Sequence, residues 1–189
     1  MNKKSNIEYK EWSIIPLSYY QIIKRGEAIF EIWIPVVISL LCTLVYILNE
    51  KTVKALAELA SVIPTVSSIL MGFTVMLITI LLTSSSNSID ELKKKSIEKK
   101  LNNSPVSLYQ ALHIEFCFIL LKEVALLILV LFYSFLSGIT VPNWISYVFL
   151  FTGTELILSI LLAIIRAITN LYFSFWNNGH YKRKGGEMG

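Results

Sequence analysis

The chain is poor in the residues that soluble chemistry relies on. Its 189 residues hold two histidines and two cysteines. His113 and His180 are remote in sequence, and Cys42 and Cys117 sit inside apolar runs, so no metal-ligand spacing occurs and no metal or cofactor is expected. The two thiols read as buried structural residues. No GxSxG, P-loop or GxGxxG stretch is present, which removes common signatures of acyl transfer, nucleotide hydrolysis and dinucleotide binding. Intramembrane proteolysis or lipid chemistry would need a positioned nucleophile or metal, so the chain is not expected to be an enzyme. His113 and Glu115 lie near each other, but their i, i+2 spacing turns them apart on a helix. Charge is scarce as well, at 16% of residues against 54% hydrophobic. A soluble domain of this size cannot bury that many apolar side chains.

What is abundant is long apolar sequence. Four runs are long enough for a hydrocarbon core of ~30 Å, which takes ~20 helical residues. They cover 29–48, 61–83, 114–136 and 144–173. The expected fold is all-α: a polytopic four-helix transmembrane domain over 29–173. A leader at 1–28 precedes it and a basic tail at 174–189 follows. The first run follows a polar, aromatic leader without an A-x-A-like cleavage site, so it reads as an anchor and not as a removable signal.

Lys and Arg set the orientation. Thirteen fall on one side: Lys3, Lys4, Lys10, Lys24 and Arg25 in the leader, Lys93, Lys94, Lys95, Lys99 and Lys100 between the second and third spans, and Lys182, Arg183 and Lys184 in the tail. Only Lys51 and Lys54 flank the other side. Both termini and the middle loop are therefore expected in the cytoplasm, with the spans in the inner membrane of a bacterium. The formal net charge of +4 is first a topology signal. Because the lysines are dispersed among Glu8, Glu11, Asp90, Glu91 and Glu98, direct nucleic-acid binding is not expected.

Residues 13–25 read as an interfacial helix, with Ser13 as cap, Pro16 in the first turn and Leu17, Tyr20 and Ile23 on one face. The second span has no stop signal at the membrane surface. Ile89, Leu92, Ser96 and Leu101 keep helix-like spacing, which predicts a helix to Leu101 that projects ~27 Å at 1.5 Å per residue. Asn102 and Asn103 would end it, and Ser104 and Pro105 would open the next helix. The product is a charged helical hairpin over 84–110, either a solvated extension or a docking surface for a cytosolic protein through Asp90, Glu91, Lys93, Lys94, Lys95, Lys99 and Lys100.

The spans also contain charges. Folding the chain back near Val141 puts Glu115 level with Arg166 and Lys122 within about a turn of Glu155. Two interhelical ion pairs are predicted, Glu115 with Arg166 and Lys122 with Glu155, because an unpaired charge at the bilayer centre costs at least ~2.5–3.5 kcal/mol. Glu31, nearer the surface, is expected to reach water. Glu123 is then the surplus carboxylate: protonated, hydrated or paired with another subunit. On the second span, Ser61, Thr65, Ser68, Gly72, Thr79 and Thr83 share one face, suited either to close helix approach or to lining a polar path.

Four spans with cytoplasmic ends, the stretch "SSILMGFTVMLITILLT" followed by "DELKKKSIEKK", and ionisable third and fourth spans resemble the small membrane proteins of bacterial phage-exclusion and anti-phage systems, of the Rex and Kiwa types. The resemblance is one of layout. It implies an oligomeric effector or sensor that responds to infection with a cytosolic partner. The leading expectation is thus a homo-oligomeric effector or anchor, channel-like in one version, where Glu123 and the hydroxyl stripe border the conducting path. Two other readings stay open: a membrane scaffold without conductance, and a small proton-coupled transporter.

Overall fold

The computed structural model describes residues 14–23, 25–49, 52–84, 87–101, 104–136 and 142–185, the side chains at 14, 25, 28, 52–53, 87–88, 98–101 and 174–185 excepted. Ser13, Asn102 and Asn103 lie outside the described residues, as do the lysines of the leader. Among the described residues six helices and a small hairpin follow in order: α1 (Ile14–Ile22), α2 (Arg25–Leu48), α3 (Thr52–Thr83), α4 (Asn87–Lys94), β1 (Ser96–Leu101), β2 (Ser104–Ser107), α5 (Leu108–Leu136) and α6 (Asn143–Gly185). The chain is a multi-pass membrane protein: α2, α3, α5 and α6 each carry a stretch long and apolar enough to cross a bilayer.

The short link between α5 and α6 makes them an antiparallel pair, and this pair is the centre of the bundle. α3 packs chiefly on α5 and α2 on α6, so α2 and α3, though consecutive, scarcely touch. α5 spreads its apolar residues around the whole helix, the pattern of a helix covered on several sides, and it meets α1, α3, α4 and α6. The core joins Leu112, Phe116, Ile119, Leu126 and Val130 of α5 to Ile160, Ala163, Ile164 and Ala167 of α6. Ala163 and Ala167, one turn apart and fully buried, let neighbouring backbones approach closely.

The helical extension of the second span does not form. α3 stops at Thr83, at the start of a serine run (84–86) whose hydroxyls compete for backbone hydrogen bonds and weaken a helix. α4 then carries Ile89 and Leu92 back against the core, where both are buried. A straight projection would leave that apolar pair in water, forgoing ~1.5–3 kcal/mol per side chain. The next residues pair as strands, with Lys100 opposite Pro105 and Leu101 opposite Ser104. The two residues between are Asn-Asn, a composition that favours tight turns. Nor do Ser104 and Pro105 open a helix. α5 is capped by Ser107, whose Oγ accepts from the Gln110 amide at 3.2 Å while its own amide donates to Gln110 Oε1 at 3.0 Å. That reciprocal capping box satisfies two orphan donors, which the Ser-Pro pair cannot do.

α1 is also more than a surface anchor. Tyr19 and Ile23 are buried against Phe118 of α5, with the Tyr19 and Phe118 rings stacked 4.0 Å apart. Of the three residues expected on one face, Ile23 is buried while Leu17 and Tyr20 are exposed.

Candidate functional site

Four charges and one tyrosine converge where α1, α2, α5 and α6 meet. Glu31 projects from the second turn of α2 and is 3% exposed. It accepts hydrogen bonds from the Tyr19 hydroxyl, from Lys122 Nζ at 2.9 Å and from the Arg166 guanidinium. Arg166 also donates through Nε to Glu115 Oε1 at 2.8 Å and to the Tyr19 hydroxyl oxygen. Lys122 donates in addition to Ser159 Oγ at 2.8 Å. Two acids and two bases thus close a neutral network, each charge held by charge-assisted hydrogen bonds. Burial pushes the Tyr19 hydroxyl well above the ordinary tyrosine range; Arg166 opposes that shift and Glu31 adds to it.

Glu115 and Arg166 meet as their equal depth requires. Lys122 and Glu155 do not form the ion pair expected of them, and helix geometry says why. Side chains lean toward the N-terminus of their own helix. α5 and α6 run antiparallel, so Lys122 leans toward the end that carries the β-hairpin and Glu155 toward the opposite end. The turn of offset between them therefore widens instead of closing. Lys122 bends back over the Phe118 ring, 4.7 Å from its centroid, and finds Ser159 at its own level and Glu31 beyond. Glu31, expected to reach water, is the hub of the network.

Glu123 lies in a separate place, the seam between α3 and α5. It is 0% exposed. Its Oε1 accepts from Thr74 Oγ1 at 3.0 Å, its main-chain carbonyl accepts from Ser67 Oγ at 3.4 Å, and its Oε2 has no partner among the described residues. Within one chain it faces neither lipid nor a subunit contact. Ser61, Thr65, Ser68, Gly72, Thr79 and Thr83 are all exposed on the side of α3 opposite Ser67 and Thr74. Glu123 and the hydroxyl stripe therefore do not border a common path in the single chain. Four of the stripe's hydroxyls are satisfied internally: Ser61 donates to the Glu58 carbonyl, Ser68 to Pro64, Thr79 to Val75 and Thr83 to Thr79, at 2.7–2.8 Å.

Of the expected docking residues, Asp90 and Lys93 form an exposed pair at 3.8 Å and Lys93 covers the Tyr109 ring. Lys94 and Lys95 are exposed, Glu91 is half-buried, and the side chains of Lys99 and Lys100 lie outside the described residues.

Sequence reasoning overlooked Glu31, Tyr19, Ser159, Thr74 and Ser67 as members of these sites. Two signals were available. Ser159 is level with Lys122 in the folded-back hairpin, and once Arg166 takes Glu115, Lys122 lacks an acid on the side to which it leans, where Glu31 is the acid of the first span. Among known proteins, no family model matches the chain, and neither a curated protein nor a solved structure is significantly similar to it.

Proposed function

We propose that this protein is a homo-oligomeric effector or anchor of a bacterial inner membrane, with cytoplasmic termini, acting beside a cytosolic partner in an anti-phage defence system. The observation that supports the oligomer is the outward face of α3. Ser61 and Thr65, Ser68 and Gly72, and Thr79 and Thr83 are three small-xxx-small pairs one turn apart, all exposed, on the span with the smallest buried share. A methyl group added at Gly72 would meet nothing within 4 Å. Such a face admits the backbone of a second helix, and four of its five hydroxyls are already bonded to their own helix, so they carry little desolvation penalty on contact. The defence context rests on the layout resemblance, and the orientation on the lysine bias. The partner's surface would be α4 and the hairpin, where Lys94 and Lys95 face outward.

Native mass measured in lipid nanodiscs tests the oligomer: the wild type runs as a multiple of the chain, and a Ser68→Leu, Gly72→Leu variant dissociates. A wild type that is monomeric at all lipid ratios refutes it. Plaque counts on cells expressing each form test the defence role, which fails if the wild type gives no protection against a panel of phages. Planar-bilayer recordings of the same two forms decide whether the assembly conducts.

A further inference from the structure

We infer that Glu123 is a proton-binding site within the bilayer, a neutral carboxylic acid that holds α3 against α5 and opens that seam when its proton leaves. The inference is independent of the oligomer proposal. Its first support is complete burial: no part of Glu123 reaches the surface of the chain. The second is the lack of a free cation beside it among the described residues. On α5 itself Lys122 is occupied by Glu31 and Ser159; on α6 Arg166 is occupied by Glu31, Glu115 and Tyr19. Glu155 of α6 and Glu115 of α5 are acids and supply no compensating charge. α3 contributes no charged residue between Glu58 and its end at Thr83. What α3 does contribute is one hydroxyl donor to the carboxyl, Thr74, and one to its main chain, Ser67. A carboxylate calls for several donors, and this one has a single donor on Oε1 and none on Oε2. A neutral acid fits that environment: its carbonyl oxygen takes the Thr74 hydrogen bond, and the protonated oxygen forgoes one weak bond instead of a full charge solvation.

The consequence is mechanical. Ser67 and Thr74 lie two turns apart on the inward face of α3 and grip α5 around Glu123, so a charge appearing there must admit water or part the helices. Acid conditions favour the closed seam and alkaline conditions the open one.

Infrared difference spectroscopy on the full chain in lipid bilayers tests this. At neutral pH the wild type should show the carbonyl stretch of a protonated carboxylic acid. The band should vanish in Glu123→Gln, which preserves shape and the Thr74 contact, and persist in Glu155→Gln. In Thr74→Val it should move to higher frequency, because the carbonyl loses its donor. A wild-type spectrum without the band, or a band unmoved by Glu123→Gln, overturns the inference. Circular dichroism of each variant separates a lost proton site from a lost fold.

Discussion

Replacing Glu31 by glutamine tests the central network most directly. The wild-type cluster balances Glu31 and Glu115 against Lys122 and Arg166, and Glu31→Gln leaves it with one net positive charge. The substitution also turns one acceptor oxygen into an NH2 group facing donors. Removing one partner of a buried pair costs ~3–5 kcal/mol because the other charge stays uncompensated. The low end applies here, ~3 kcal/mol, since Arg166 keeps Glu115 and Lys122 has a flexible stem that can carry its ammonium toward water. That is roughly a hundredfold shift in the folding equilibrium at ~1.4 kcal/mol per decade. Lys122→Met alone leaves an acid in excess and should cost ~2 kcal/mol, less because Glu31 retains Arg166 and Tyr19. The double variant restores neutrality and should cost ~3 kcal/mol, not the ~5 of independent sites, a coupling of ~2 kcal/mol. Reversible unfolding in mixed detergent–SDS micelles, followed by tryptophan fluorescence, provides all four corners of the cycle. Single costs that add to the double within ~0.5 kcal/mol would show that charge balance does not hold this cluster together.

Tyr19→Phe keeps the ring on Phe118 but deletes a hydroxyl bonded to Glu31 and Arg166, and should cost ~1.5–3 kcal/mol in the same assay, with no loss refuting the contact. In an alkaline spectrophotometric titration Tyr19 should ionise only far above an ordinary tyrosine, identified by the phase missing in Tyr19→Phe. The folded chain keeps that proton where the unfolded chain loses it, so this contribution to stability is intact below the ordinary tyrosine range and declines as pH rises through and beyond it. Leu92→Ala should remove ~2–5 kcal/mol of packing and free α4, read as faster proteolysis at Lys93–Lys95. Thr43→Val should be neutral or stabilising by up to ~1–2 kcal/mol, because the buried Thr43 hydroxyl has no partner; a marked loss in thermal midpoint would show that it does have one.

Much of this fold was legible in the sequence. Four apolar runs of membrane length appear as four helices, because in hydrocarbon a backbone can satisfy its polar groups only internally and length alone then fixes the spans. Glu115 and Arg166 could be matched by depth, since the short α5–α6 link fixes the register of an antiparallel pair. The segment at 84–107 was not legible: its lysines and spaced apolar residues suit a helix locally, but burial of Ile89 and Leu92 and the cap at Ser107 give a short helix and a hairpin instead.

The sequence by itself determined which residues must find partners, because lipid makes every stray charge costly wherever it falls. Only the tertiary structure decided which partners they found. The lean of antiparallel side chains sends Lys122 away from Glu155, the docking of α1 and α2 brings Tyr19 and Glu31 in from distant sequence, and the rotation of α3 places Thr74 on Glu123 while turning the hydroxyl stripe outward. Direction and rotation arise when helices pack against one another, and no property of a single helix encodes them.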